Sequence, residues 1–317
     1  MKKCTGFAAL FFLLLAGTAH AVLPAPNAQT KTGLGIIDAL GTDDYRLGDE
    51  WGKRPLGAED LNLASPALQR AALATAKVGG ATGFYLGKFN GQFVMATNHH
   101  VFPSSSSCGS ARSIRFPLLG VTVACDQFLG TWPEIDLALF TVRVSGPADE
   151  GKLLGVAGNF RFNEDIRMGE KLLTVGFGVA GNPNGVLMAN QDSDCYVFSK
   201  NGEYRLMADP DQWNPGSYRA WSFALGCDVS HGDSGSAIVD RDTGNVVGII
   251  WTGRIPKSDR ARTSSYLSDI YKTQDAAVWE ELSYAVPAKK MGEFLTRLLE
   301  SSLPENHKQI LRAMLTN

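Results

Sequence analysis

The sequence predicts an all-β fold, a barrel or a sandwich, with helices at the two ends of the chain. Three observations predict it. Short β-rich runs recur through the middle of the chain, turn residues separate them, and the 3.6-residue apolar period appears only at the ends.

Taken in order, Leu68 to Lys77 reads as one short helix, with Ser65 as N-cap and Pro66 at the first helical position. Ala81–Gly87 and Gln92–Thr97 then flank Lys88-Phe89-Asn90-Gly91, a hairpin with an Asn-Gly turn. Leu137–Arg143 alternates and is β-rich, and Leu172–Phe177 is a further strand. Ser236–Val239 and Val246–Trp251 form a second hairpin across Asp240–Gly244. Near the end, Met291, Phe294, Leu295, Leu298 and Leu299 share one helical face. Pro304 opens a second short helix with Ile310, Leu311 and Met314 facing inward.

The first residues read as an export signal. Lys2 and Lys3 precede an apolar run, Phe7 to Gly17, that is too short to span a bilayer comfortably, and Ala19-His20-Ala21 offers small residues at a cleavage site. The expected organisation is a signal peptide over 1–21, an N-terminal extension or pro-segment over 22–71, a domain over 72–285 and C-terminal helices over 286–317. Such a chain is secreted or periplasmic. Its net charge of −2 becomes −4 without Lys2 and Lys3, which points to neither nucleic acid nor an anionic membrane as partner. Cys4 leaves with the signal. The remaining Cys108, Cys125, Cys195 and Cys227 allow three pairings, of which Cys108–Cys125 and Cys195–Cys227 keep each pair within one half of the chain. A zinc site would call for close pairs such as C-x-x-C, and the sequence has none.

Chemistry is concentrated in three places. His231-Gly232-Asp233-Ser234-Gly235-Ser236 sets a serine between glycines that permit a sharp turn. A serine hydroxyl is a poor nucleophile unless a base takes its proton. The amides of Gly232 and Ser234 are placed to meet a developing oxyanion. Thr97-Asn98-His99-His100-Val101 closes a strand, where a general base can be held rigidly; His99 and His100 compete for that role. Asp136, among apolar residues in Glu134–Phe140, is a carboxylate that needs a buried partner, which a histidine Nδ1–H provides. The order His–Asp–Ser differs from Asp–His–Ser of subtilisins and Ser–Asp–His of α/β-hydrolases.

The segments Gly83-Phe84-Tyr85-Leu86, Ala96–Val101, Ile135–Leu139, Thr174–Gly178 and Gly232–Ser236 resemble the serial landmarks of chymotrypsin-like serine peptidases. The likeness is closest to the compact bacterial branch that includes the glutamyl endopeptidases. It covers about residues 72 to 287, where Ser283–Pro287 resembles the lead-in to that branch's terminal helix. The resemblance implies two six-stranded antiparallel β-barrels, lobes near 72–155 and 160–285, with a cleft between them. It selects His100 over His99 and implies a catalytic set of His100, Asp136 and Ser234.

Departures from the family pattern limit what carries over. Digestive trypsins insert a new Ile-Val-Gly-Gly-like end that pairs with the aspartate before the serine. Here Val78-Gly79-Gly80 lies too close to His100 for that and reads as first strand, so Asp233 has no evident partner. Asp228 stands at the trypsin offset for a lysine- or arginine-binding carboxylate, though relatives also carry a structural aspartate there; Trp251 and Gly253 are expected along the substrate strand. Ile250 before Trp251, in place of histidine, does not support glutamate preference. The expected activity is peptide-bond hydrolysis by a monomer acting on protein or peptide, with no cofactor and no metal in the mechanism. Two rivals are a catalytically silent binding protein on the same scaffold and a serine esterase.

Overall fold

The computed structural model describes residues 40–316. The predicted signal peptide over 1–21 and the first part of the extension lie outside the described residues.

The first lobe is a closed antiparallel barrel, ordered β2-β3-β4-β7-β6-β5. Its strands are β2 (Thr75–Val78), β3 (Ala81–Phe89), β4 (Gln92–Thr97), β5 (Ile114–Phe116), β6 (Val121–Trp132) and β7 (Leu137–Arg143). The β3–β4 hairpin closes on Asn90 and Gly91, with φ of 49° and 78°, the two left-handed positions of a turn that matches strand twist. Both faces of β3 are buried. Tyr85 joins the barrel interior with Met95, Phe116 and Phe140, while Phe84 joins the core shared with Val175, Val239 and Trp251 of the second lobe. This double burial explains why the run reads as nearly continuous apolar sequence rather than as an alternation.

The second lobe is a second antiparallel sheet, in keeping with the chymotrypsin-like fold that the resemblance implies, though with more than six strands. It is an eight-stranded sheet ordered β1-β9-β8-β12-β13-β14-β11-β10. The strands are β1 (Lys53–Pro55), β8 (Leu172–Gly176), β9 (Met188–Asn190), β10 (Arg205–Ala208), β11 (Arg219–Leu225), β12 (Ala237–Asp240), β13 (Val246–Gly253) and β14 (Ser283–Pro287). The extra edge strand β1 comes from the N-terminal extension and pairs antiparallel with β9, Lys53 opposite Asn190.

Six α-helices and four short 3-10 turns complete the described structure, the α-helices being α1 (Pro66–Ala74), α2 (Ser105–Ser110), α3 (Pro147–Leu154), α4 (Ser264–Thr273), α5 (Ala288–Leu298) and α6 (Glu305–Leu315). In α1 the Ser65 side chain accepts from Leu68 N at 3.3 Å, as an N-cap should. The helix stops at Ala74, short of the predicted Lys77, because Thr75–Val78 is recruited as β2. Met291 and Leu295 of α5, and Ile310, Leu311 and Met314 of α6, are buried in the shared core. Both predicted disulfides are formed, Cys108–Cys125 and Cys195–Cys227. Among the described residues no helix is long and apolar enough to cross a membrane.

Candidate active site

Ser234 sits in the loop between β11 and β12. Turn hydrogen bonds shape this loop: Asp233 N to Ser230 O at 3.0 Å and Ser236 N to Asp233 O at 2.8 Å. Gly232 and Gly235 have φ of 91° and 87°. A Cβ at Gly232 would lie 2.6 Å from the Phe177 carbonyl oxygen, and one at Gly235 would lie 2.0 Å from that of Thr82, so both positions require glycine. Among the described residues, the amides of Gly232 and Ser234 have no hydrogen-bond acceptor. They are therefore available to a ligand's oxygen.

Thr82 of β3 joins this loop to the barrel. Its amide donates to Ser234 O at 3.0 Å and its hydroxyl to Gly232 O at 2.7 Å. The same hydroxyl accepts from Phe177 N at 3.0 Å, and its carbonyl accepts from Thr97 Oγ1 at 2.7 Å. One residue thus links the Ser234 loop to the strand that leads into the histidines.

His100 follows β4. Its Nδ1 lies 2.9 Å from Asp136 Oδ2, and its amide donates to Asp136 Oδ1 at 3.1 Å. Asp136 is fully buried and ends a single 3-10 turn, Pro133–Ile135, in the left-handed region at φ 34°. Its amide donates to Pro133 O at 3.0 Å, and its carbonyl accepts from Asn98 Nδ2 at 2.9 Å, so the backbone on both sides holds this uncommon conformation. Burial lowers the His100 pKa, but the charge and hydrogen bond of Asp136, with Asp209 farther off, outweigh it and leave the imidazole above its ordinary value. His99 is placed differently: its Nδ1 is 2.7 Å from Thr131 Oγ1, and burial lowers its pKa. The geometry therefore brings His100, and not His99, onto the carboxylate.

Tyr218 was not singled out in the sequence. Its hydroxyl donates to Asp136 Oδ1 at 2.9 Å and lies 3.2 Å from His100 Nδ1. Burial, then the Asp136 charge and hydrogen bond, push the phenol pKa up, so the hydroxyl keeps its proton and is the donor. Nothing local marks it, because Tyr218 precedes β11 and reaches Asp136 across 82 residues of chain.

His100, Ser234, Trp251 and Gly253 line one cleft, together with Asp209, Asp211 and His231. The Trp251 indole donates to Ser222 Oγ at 2.9 Å, which fixes the ring against the cleft wall. Asp209 is half-buried; it accepts from the Thr252 hydroxyl and from Asp211 N, and burial raises its pKa. Asp211 Oδ2 lies 2.7 Å from His231 Nε2.

Asp228, the expected pocket carboxylate, is placed elsewhere. It is fully buried and does not line the cleft. Its two oxygens accept from Leu47 N at 2.8 Å and Gly52 N at 2.6 Å, so segment 47–52 occupies it. Burial pushes its pKa up to about 7, against the pull of those two amides. Asp233 does have a partner: Lys53 Nζ donates to its Oδ2, and both side chains are 1% exposed. Among the described residues no group of three or more His, Cys, Asp or Glu side chains is arranged to hold a metal ion.

Residues 81–249, more than half of the chain, match the trypsin-like peptidase domain. Among solved structures, the chain is similar to the Rv3671c protease of M. tuberculosis. With the inactive form of a serine-to-alanine mutant from strain H37Rv, the TM-score is 0.47 at 16% identity, over 78% of this chain and 96% of that one. With the active form, the TM-score is 0.44 at 17% identity, over 79% of this chain and 88% of that one. No curated protein matches the chain. On the match over residues 81–249, the chain belongs to the trypsin-like peptidase family, within the chymotrypsin-like superfamily.

Proposed function

We propose that the protein is a secreted serine endopeptidase in which Ser234 is the nucleophile, His100 the general base and Asp136 the residue that orients it. The observation that carries this reading is the 2.9 Å contact between His100 Nδ1 and Asp136 Oδ2, with Ser234 lining the same cleft. With Nδ1–H committed to Asp136, Nε2 is left as the basic nitrogen. It takes the Ser234 proton as Oγ attacks a peptide carbonyl. The resulting oxyanion meets the unpartnered amides of Gly232 and Ser234. Collapse passes the proton from His100 to the leaving amine and leaves an acyl-enzyme on Ser234 Oγ. Water, deprotonated by His100, then releases the acid. Every group in this cycle belongs to one chain, so a monomer is sufficient, and no metal or cofactor enters it.

Export is supported by the run Lys2 to Ala21, and an oxidising compartment suits the two disulfides. Preference for lysine or arginine rests on Asp209, which lines the cleft, since Asp228 is occupied by segment 47–52. A fluorophosphonate tests the mechanism: it should label Ser234 in the wild type and not in Ser234→Ala, which should lose about 10⁶ in kcat. An unreactive folded wild type would favour a silent binding protein. Turnover of esters but not peptides would favour an esterase.

A further inference from the structure

We propose that the stretch from Tyr45 to Lys53 is a permanent scaffold of the nucleophile loop. Lys53 acts as the residue that positions the oxyanion amides, so the enzyme reaches its working geometry with this stretch in place and without cleavage after it. The inference rests on the peptidase reading above.

Three independent ties run from this short stretch to the segment just before Ser234. The amides of Leu47 and Gly52 donate to the two oxygens of Asp228. The Tyr45 hydroxyl lies 3.0 Å from His231 Nδ1. Lys53 Nζ donates to Asp233 Oδ2. The last tie matters most, because Asp233 stands between Gly232 and Ser234, whose amides face the reacting carbonyl. The other contacts of Asp233 are neutral donors: Ser230 N at 2.8 Å and Ser230 Oγ at 3.1 Å to Oδ2, and Gly178 N at 3.1 Å to Oδ1. Lys53 is the one cation on it among the described residues.

An unpaired carboxylate at this depth is costly and draws toward water. If it turned outward, the peptide units on either side would turn with it. Lys53 removes that tendency, and its own place is fixed by β1, where it pairs with Asn190. Val78, the other conceivable source of an ammonium if a chain end were made there, is a 2% exposed residue of β2 paired with Ala81 in the barrel. A stretch that neutralises the loop in this way supports the site rather than blocking it.

The test uses full-length protein purified after export. The fluorophosphonate-labelled wild type is sequenced from its N-terminus. Lys53→Met and Lys53→Arg are compared with it in kcat, KM and affinity for a peptidyl boronic acid, which needs the oxyanion amides. The labelled species should begin ahead of Tyr45. Folded Lys53→Met should lose ~10²–10³-fold in kcat, the scale of a misplaced oxyanion donor, with a parallel loss of boronate affinity and KM within about threefold. Lys53→Arg should recover at least about tenfold of that kcat loss if the charge is what positions the loop. An active, labelled wild type that begins after Lys53 overturns the inference, and so does a folded Lys53→Met with wild-type kcat. If the methionine variant does not fold, the N-terminus of the labelled wild type and the kcat of Lys53→Arg still decide. A wild type inert to the fluorophosphonate sinks the peptidase reading itself, which separates the two failures.

Discussion

Replacing Tyr218 with phenylalanine isolates one hydrogen bond at the heart of the site. The ring can stay, because it is held edge-on to His99 and beside Trp251. Only the hydroxyl is lost, and with it one of three donors to the buried Asp136 carboxylate; the His100 amide and Nδ1–H remain. A hydrogen bond to a charged group contributes about 1.5–3 kcal/mol. Part of that appears as stability. At about 1.5 kcal/mol, Tyr218→Phe should lower Tm by roughly 3–6 °C for a domain of this size. The rest appears at the histidine. With one donor fewer, Asp136 holds more of its charge and favours the imidazolium, so His100 titrates higher. The acid limb of kcat/KM should therefore move to higher pH. Activity on the plateau should fall by no more than about tenfold, far less than the ~10⁴ expected when Asp136 itself becomes asparagine and the tautomer is lost. Peptide hydrolysis measured from pH 5 to 9 alongside thermal unfolding reads both effects. An acid limb that stays where the wild type has it, in a variant with full or lower activity, would refute the reasoning.

Further outcomes follow from the same geometry. As the proposed base, His100 must be neutral to act, and Asp136 raises its pKa above the ordinary 6.5, so activity should be lost as pH falls through a value above 6.5; a midpoint at or below 6.5 contradicts this. By linkage, the charged pair adds stability below pH 6.5 that fades as pH rises through the folded value, which unfolding curves against pH will show. The Cys195–Cys227 bridge spans 32 residues and ends beside Asp228, so replacing both cysteines with serine should cost roughly 3–4 kcal/mol in denaturant unfolding. Asp209→Asn should lower kcat/KM for lysine and arginine peptides by about tenfold or more relative to neutral ones, whereas Asp228→Asn should change stability rather than this ratio.

The barrel was legible because its strands follow one another through short turns, and Asn90-Gly91 announces the tightest of them. The turn around Ser234 was legible for a similar reason, since its motif is local and both nearby glycines answer to backbone close approaches. What escaped was long-range. Strand β1 is three residues with a proline, and no local pattern says that it pairs with β9. Helix α4 buries only Leu267 and Ile270, too few for the periodicity to stand out. Lys53 meets Asp233 across 180 residues, and Tyr218 meets Asp136 across 82. The offset of Asp228 matched a pocket residue, but an offset does not say which way the side chain turns; two amides from segment 47–52 settle that.

Thr82 carries a consequence for how the two halves hold together. Its four hydrogen bonds touch the chain at Gly232, Ser234, Phe177 and Thr97, so a clasp at the middle of the seam holds the Ser234 loop against the strand that leads to His100. The connection between β7 and β8 adds its own ties to both lobes: Gly158 N donates to Tyr85 O at 3.0 Å, and Val246 N donates to Asn159 O at 2.7 Å. A chain nicked in this connection would be expected to keep its two pieces in register, since Thr82 and the core shared by the two lobes hold them together without it.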